Sequence, residues 1–193
     1  MKIALDVLGG DNAPLSNIKG AFAYLDHCGD SAAELLLLGD KPQIESSIRE
    51  IGREESDVSI IHTTEVVEMN ERASRIFREK PDSSLVKSIQ LVKDNEAQAV
   101  VSAGNTGALL TSSLFLIGKI PGIRRPAFAP FIPTNNGGFI LCDAGAHADS
   151  KPQHLVQFAL MASAYIEHLK IRPNPKVALL NIGREENKGN ELM

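Results

Sequence analysis

Apolar residues come in short continuous runs along this chain, and four of the runs stop abruptly at clusters of Gly, Asn, Asp and Ser: LGGDNAP, SAGNTGA, CDAGAHADSKP and NIGREENKGNE. Short apolar runs bounded by turn formers have the character of strands buried on both faces. The pattern predicts strands at Lys2 to Val7, Glu34 to Leu38, Val58 to His62, Ala99 to Ser102, Phe139 to Asp143 and Lys176 to Asn181. Between them the period becomes helical. Ile18, Phe22 and Leu25 recur at helical spacing, as do Leu85, Ile89 and Val92, and then Leu155, Phe158, Ala162, Tyr165 and Leu169. Pro14 and Pro152 stand just behind Asp11 and Ser150, a combination suited to helix starts.

Strand and helix therefore alternate, which predicts an α/β fold built on a doubly wound, mainly parallel sheet with helices on both faces. The stretch from Ile120 to Asn136 breaks the rhythm: Pro121, Pro126, Pro130 and Pro133 interrupt any regular element and imply an excursion over a sheet edge. Near the end, Asn190, Glu191 and Leu192 read as the cap and first turn of a further helix. The expectation is a single α/β domain over residues 1–193, truncated at its C-terminal end.

Composition narrows the function. With 43% hydrophobic and 23% charged residues, the 193-residue chain can bury one sizeable core. A net charge of -4, without blocks of like charge, weighs against nucleic acid as a partner. Cys28 and Cys142 lie far apart without metal-ligand spacing, which fits a reducing, cytoplasmic setting. Met1 leads straight into KIALDV and no run approaches a membrane span, so any membrane contact is expected to be peripheral. No His/Cys/Asp cluster has ligand spacing, and neither a metal nor a cofactor is expected. GNTGAL lacks the Lys of a phosphate-binding P-loop, and LGGDNAP is not a dinucleotide fingerprint, which counts against a nucleotide-dependent oxidoreductase or kinase.

Parallel strands end on one edge, where open α/β sheets bind ligands. Small residues there let backbone amides approach an anion, pointing to phosphate or acyl-phosphate chemistry. Ser102, Gly104, Asn105, Thr106 and Gly107 sit between a strand and an apolar helix, and are read as either anion contacts or an ordinary cap and tight turn. Asp143, Gly145, Ala146, Asp149, Ser150 and Lys151 form the densest polar loop. There Asp143 could orient a base or hold a cation and Lys151 could pair with phosphate, while Asp149 and Ser150 serve equally well as helix caps. Gly9, Gly10 and Asp11 are expected to border the pocket, with turn formation and capping as the alternative. Cys142 invites an acyl-enzyme reading, but a strand cysteine is more often a small core residue.

MKIALDVLGGDNAP, VSAGNTGALL, DAGAHADSKPQHLVQFALM and LLNIGREENKGNEL together closely resemble the phosphate acyltransferases of bacterial phospholipid synthesis, the PlsX family. The resemblance runs in order from Met1 to Met193 and covers the N-terminal part of the family's length. It implies transfer of a long-chain fatty acyl group from acyl carrier protein to inorganic phosphate, giving acyl phosphate. It also implies a fold similar to phosphate acetyltransferases and isocitrate dehydrogenases, a homodimer, and peripheral membrane association. Asn181, Gly183, Glu185, Lys188 and Gly189 carry its most family-like signature, with Lys188 the best candidate for a catalytic cation and Asn181 beside it.

The chain departs from the family pattern at Asn12, where His is usual after Gly-Gly-Asp, and at His147, where Asn is usual. Neither position is then an indispensable general base. VVEMNERASRIFREKPDSSL differs as well, with Asn70 and Glu71 in place of an acidic pair and Pro81 just before Asp82. Arg72, Arg75, Arg78 and Lys80, together with Arg124 and Arg125, could receive an acidic carrier protein, although a solvated helix face explains such charges too. Phosphate attack on a thioester needs donors that orient the phosphate, a donor for the developing oxyanion and a free exit for thiolate; it needs no covalent intermediate.

Overall fold

The computed structural model describes residues 1–135, 137–147 and 149–183. They fall into two compact units, Met1–Gly118 and Lys119–Met193.

The first unit is built on a parallel sheet. Strands β1 (Lys2–Asp6), β2 (Glu34–Gly39), β3 (Ser59–His62) and β4 (Ala99–Ser102) lie in the order β3-β2-β1-β4. Helices α1 (Leu15–Cys28), α2 (Lys41–Glu50), the short α3 (Ile76–Glu79), α4 (Ser84–Lys93) and α5 (Thr106–Leu116) connect and cover them. Alternation along the strands explains why the apolar runs are unbroken. Leu35 and Leu37 pack with Ile18 and Phe22 of α1 and Ile44 and Ile48 of α2, whereas Leu36 and Leu38 pack with Ala4 and Ala97, against which Leu91 and Val92 are placed. Both faces of β2 are thus dry. Burying each such Leu or Ile contributes about 1.5–3 kcal/mol.

Helix starts follow local chemistry. Asp40 caps α2 by accepting the Gln43 amide, with Pro42 in the first turn, and Ser83 caps α4 by accepting the Val86 amide. α1 begins at Pro14 with no side-chain cap, so the exposed Asp11 does not cap it. Instead the amides of Ser16 and Ile18 bond the carbonyls of Asn12 and Pro14.

The second unit holds an antiparallel pair, β5 (Phe131–Thr134) and β6 (Gly137–Ile140), and the helix α6 (Pro152–His168). Two expectations are corrected here. The strand expected at 139–143 is instead 137–140, and it pairs with β5, which contains Pro133; a two-stranded ladder tolerates a proline that a central strand would not. The run Lys176–Asn181 forms no strand among the described residues. Val177, Leu179 and Leu180 are exposed, and without a neighbour to complete a hydrogen-bonded ladder apolarity alone makes no strand.

Candidate active site

The order β3-β2-β1-β4 has a consequence for ligand binding. The chain proceeds from β1 outward through β2 to β3 and then returns to the other side of β1 as β4. The direction of winding reverses between β1 and β4, and the crevice beyond the carboxyl ends of such a strand pair is where doubly wound sheets bind ligands. Asp6 and Ser102 are register partners at those two ends.

A closed polar cluster lies there. The Asp6 carboxylate, 2% exposed, accepts the Ser84 hydroxyl at 2.5 Å on Oδ1 and the Ser102 hydroxyl at 2.7 Å on Oδ2. Ser102 Oγ accepts the Gly104 amide at 3.1 Å. The loop after β1 comes so close that a Cβ on Gly9 would lie 2.6 Å from Asp6 Oδ2 and 2.8 Å from the Gly104 nitrogen. Gly10 has φ +99°, a conformation that L side chains rarely adopt. The Asn17 side-chain amide donates to the Val7 and Gly9 carbonyls at 3.0 and 2.7 Å, holding the loop from the α1 side.

Asn105 performs two tasks. Its Oδ1 accepts the Ala108 amide at 3.0 Å and caps α5. Its Nδ2 donates to the carbonyls of Glu68, Met69 and Glu71 at 3.3, 3.1 and 3.1 Å, bringing the segment after β3 to the same sheet edge. That segment is braced by Lys80, which pairs with Glu71 and donates to the Val66 carbonyl at 2.5 Å. The Lys80 ammonium holds the Glu71 carboxyl below its ordinary range despite burial. Thr106 and Gly107 are exposed at the helix start, where amides of a first turn have no intrahelical acceptor. Gly9, Gly10, Ser102, Gly104, Asn105, Thr106 and Gly107 therefore share one edge of the first unit, and Asp11 stands exposed at the same turn.

In the second unit Asp143 is the organising residue. Its Oδ1 accepts the Phe128 and Ala146 amides at 2.9 and 3.2 Å, and its Oδ2 accepts the His147 amide at 3.0 Å and faces His147 Nδ1 at 3.1 Å. Burial is the largest single influence on this carboxyl and pushes it up, but the Phe128 amide, the His147 side chain and the other two amides together bring it below its usual value. Three backbone amides and the His147 ring thus surround its two oxygens.

Lys151 donates its amide to the buried His154 Nδ1 at 3.2 Å at the start of α6, while Asp149 accepts from Arg125 through its backbone carbonyl at 3.1 Å. Neither Asp149 nor Ser150 occupies the cap position, which is Lys151. Burial, followed by the charges of Arg125, Lys151, Arg124 and His147, keeps the His154 imidazole below its usual pKa. Gly145 has φ +100° in the turn between Asp143 and Ala146. Asn181 Oδ1 accepts the Ile182 amide at 2.8 Å, close to Gly183. Lys188, Glu185 and Gly189 lie outside the described residues.

Sequence reasoning overlooked Ser84, Asn17 and the reach of Asn105. Ser84 and Ser88, both buried and one helical turn apart on an otherwise apolar face, are the pattern that could have revealed the first. Among the described residues no three His, Cys, Asp or Glu side chains gather as metal ligands, and no helix is long and apolar enough to cross a membrane.

Comparison with known proteins places these features in context. Residues 1–193 match the model of a family described as fatty acid synthesis protein. Phosphate acyltransferases of Bacillus licheniformis, Listeria monocytogenes and Desulforamulus reducens are 46%, 48% and 47% identical to the chain, and all of the chain aligns with each. It covers 57%, 56% and 56% of their respective lengths, so it spans a little over half of these relatives. Two solved phosphotransacetylases share the fold. That of Streptococcus pyogenes has a TM-score of 0.70 at 20% identity, covering 99% of this chain and 60% of its own. The EutD phosphotransacetylase of Staphylococcus aureus has 0.67 at 18%, covering 97% and 59%.

Proposed function

The chain belongs to the fatty acid synthesis protein family, and from that premise we propose that it acts in the transfer of a long-chain fatty acyl group from acyl carrier protein to inorganic phosphate, yielding acyl phosphate for phospholipid synthesis. The observation that carries this reading is the glycine-lined crevice at the winding reversal, where Gly9 and Gly104 meet beside Asp6 and Ser102. Side chains are excluded from that contact, so backbone and the α5 amides of Thr106 and Gly107 face an incoming anion. Relatives named phosphate acyltransferase support the same chemistry.

In this reading a phosphate oxygen forms a bond to the thioester carbonyl carbon, the C–S bond breaks, and the carrier leaves as its thiol. Lys188 serves as the cation that stabilises phosphate or the oxyanion, and Asn181, Gly183, Glu185 and Gly189 are the other residues of that stretch of sequence assigned to the substrate site. Within the second unit, Ser150 and Lys151 at the approach to α6 are assigned as further phosphate contacts. The exposed guanidiniums of Arg72, Arg75 and Arg78 on the first unit and, separately, Arg124 and Arg125 on the second are the cations offered to the acidic carrier protein; Lys80 also engages Glu71 and the Val66 carbonyl. A homodimer at the inner face of the cell membrane completes the proposal.

The test is release of free carrier thiol from long-chain acyl carrier protein by the 193-residue chain, with and without inorganic phosphate. Phosphate-dependent release is expected. Phosphate binding without release would favour a binding module, and absence of both from folded protein would overturn the reading.

A further inference from the structure

We infer that the Asp6–Ser102 pair makes the glycine-lined crevice selective for an oxyanion that carries a proton: Ser102 meets the ligand, and Asp6 is its positioning residue. This rests on the reading of the crevice as the phosphate site, and every group it uses belongs to the first unit.

The hydrogen bonds of the cluster run in one direction. The Asp6 carboxylate only accepts, and its Oδ2 takes the Ser102 hydroxyl proton at 2.7 Å. The Gly104 amide only donates, and its hydrogen goes to Ser102 Oγ at 3.1 Å. The hydroxyl proton is therefore committed to Asp6 and one lone pair of the oxygen to Gly104. What Ser102 has left to offer is its other lone pair, an acceptor. Ser102 is partly exposed, whereas Asp6 is 2% exposed, so the serine can touch a ligand and the aspartate acts through it.

Asp6 is itself held in place. Ser84, also 2% exposed, donates to Oδ1 at 2.5 Å from the start of α4. On the other side the Gly9 backbone closes over Oδ2, leaving no room for a Cβ, which would lie 2.6 Å from that oxygen. Both partners of the carboxylate are hydroxyls, and among the described residues no cation pairs with it. Its negative charge thus stands uncompensated behind the Ser102 acceptor.

Donors share this edge of the sheet. The amides of Thr106 and Gly107 open α5 and have no partner among the described residues. Such amides suit any oxyanion, but an acceptor beside them suits only one that brings a hydrogen. Phosphate near neutral pH always carries a P–OH, while sulfate has the same tetrahedral form and carries none. Phosphate gives that proton to Ser102 Oγ and turns its unprotonated oxygens to the amides. Sulfate sets an oxygen lone pair against that of Ser102, with the Asp6 charge behind it.

Titration calorimetry of the 193-residue chain at matched ionic strength tests this. Inorganic phosphate, and arsenate, which also carries a proton, are expected to bind about 10- to 100-fold more tightly than sulfate, the cost of one unmet hydrogen bond. Asp6→Asn replaces the acceptor facing Ser102 by an amide that can donate to Oγ, which frees the hydroxyl proton to turn to the ligand; phosphate and sulfate should then bind with similar affinity. Ser102→Ala removes the lone pair without altering Asp6 and should narrow the gap likewise, while Ser102→Thr keeps the hydroxyl and should retain it. Residues that merely support the fold would weaken both anions together and leave their ratio unchanged.

Wild-type protein that binds sulfate as tightly as phosphate overturns the inference, as does an unchanged ratio in Asp6→Asn or in Ser102→Ala, the second of which carries the test should the first not fold. Wild-type protein that binds neither anion overturns the reading of the crevice as the phosphate site, and the inference with it. Binding is measured without turnover, so a chain that selects phosphate yet releases no carrier thiol removes acyl transfer and leaves the selectivity standing.

Discussion

Ser102 gives its hydroxyl proton to Asp6 Oδ2 at 2.7 Å, joining the carboxyl ends of β4 and β1 across 96 positions of sequence. Ser84 holds the other oxygen from the start of α4, so one buried carboxylate ties two strands and a helix together. Removing a donor leaves a buried charge under-satisfied. Ser102→Ala is expected to cost about 1–3 kcal/mol in urea unfolding. The same substitution in an Asp6→Ala background should cost clearly less, because the acceptor is already gone. Additive losses would show that the two side chains do not act through each other.

Gly9 and Gly104 form a graded steric test of the crevice. A methyl group on Gly9 would lie within 2.9 Å of the Gly104 nitrogen and Cα as well as Asp6 Oδ2, and backbone atoms cannot simply swing aside. At Gly104 the nearest atom would be 3.1 Å away. Gly9→Ala should therefore destabilise by about 1–3 kcal/mol, the usual range for overpacking, and Gly104→Ala by less. Equal midpoints for the two variants would mean that the loop is looser than its geometry indicates.

Asn105 allows capping to be separated from clamping. Asn105→Asp retains an oxygen for the Ala108 amide but replaces the amide donor by an anion facing three carbonyls. Helix α5 should persist while hydrogen exchange speeds up at Glu71, whose amide bonds the Glu68 carbonyl within the clamped turn. Asn105→Ala should lose both functions, with about 1 kcal/mol assigned to the cap alone. Unchanged exchange in the Asp variant would assign Asn105 to capping only.

The first unit was legible because burial on both faces leaves an unmistakable record: ELLLLG can hardly be anything but a strand inside a parallel sheet. The second unit was not. FIPT carries a proline and GGFI two glycines, so neither hairpin strand has an apolar run, while the more apolar Lys176–Asn181 finds no ladder among the described residues. The same division holds at the site. Glycines and caps at Gly9, Gly10, Gly104 and Asn105 are local signals and can be read in order along the chain. Ser84 meets Asp6 only through the β1–β4 crossover, 78 positions away, which no local pattern records.

Asp82 should govern part of the acid response. The Lys87 ammonium, followed by the Thr64 hydroxyl and amide, pulls its carboxyl down to about 2 against an opposing effect of burial. A carboxyl lowered on folding contributes stability above its unfolded pKa, about 3.9, and that contribution is lost as pH falls through the folded value. Wild-type protein should thus lose urea resistance between about pH 4 and pH 2. Asp82→Asn should be weaker at pH 6 and show a smaller decline across this window. The pair is partly solvated, so the difference is expected to shrink in high salt. Parallel pH curves for the two proteins would remove Asp82 from the acid response.

Cys142 provides a chemical control on the nature of the reaction. Burial pushes its thiol pKa up and the neighbouring Asp143 charge pushes it further. Only the thiolate is an effective nucleophile, and both influences oppose its formation at neutral pH. Iodoacetamide should alkylate Cys142 more slowly than an unstructured cysteine peptide, with the difference lost on denaturation. Cys142→Ala should keep phosphate-dependent thiol release within about twofold of wild type, since direct attack by phosphate makes no bond to that sulfur. A large loss of turnover in a variant that retains its fold would reverse the conclusion, because direct attack by phosphate has no use for that sulfur and an acyl-enzyme would depend on it.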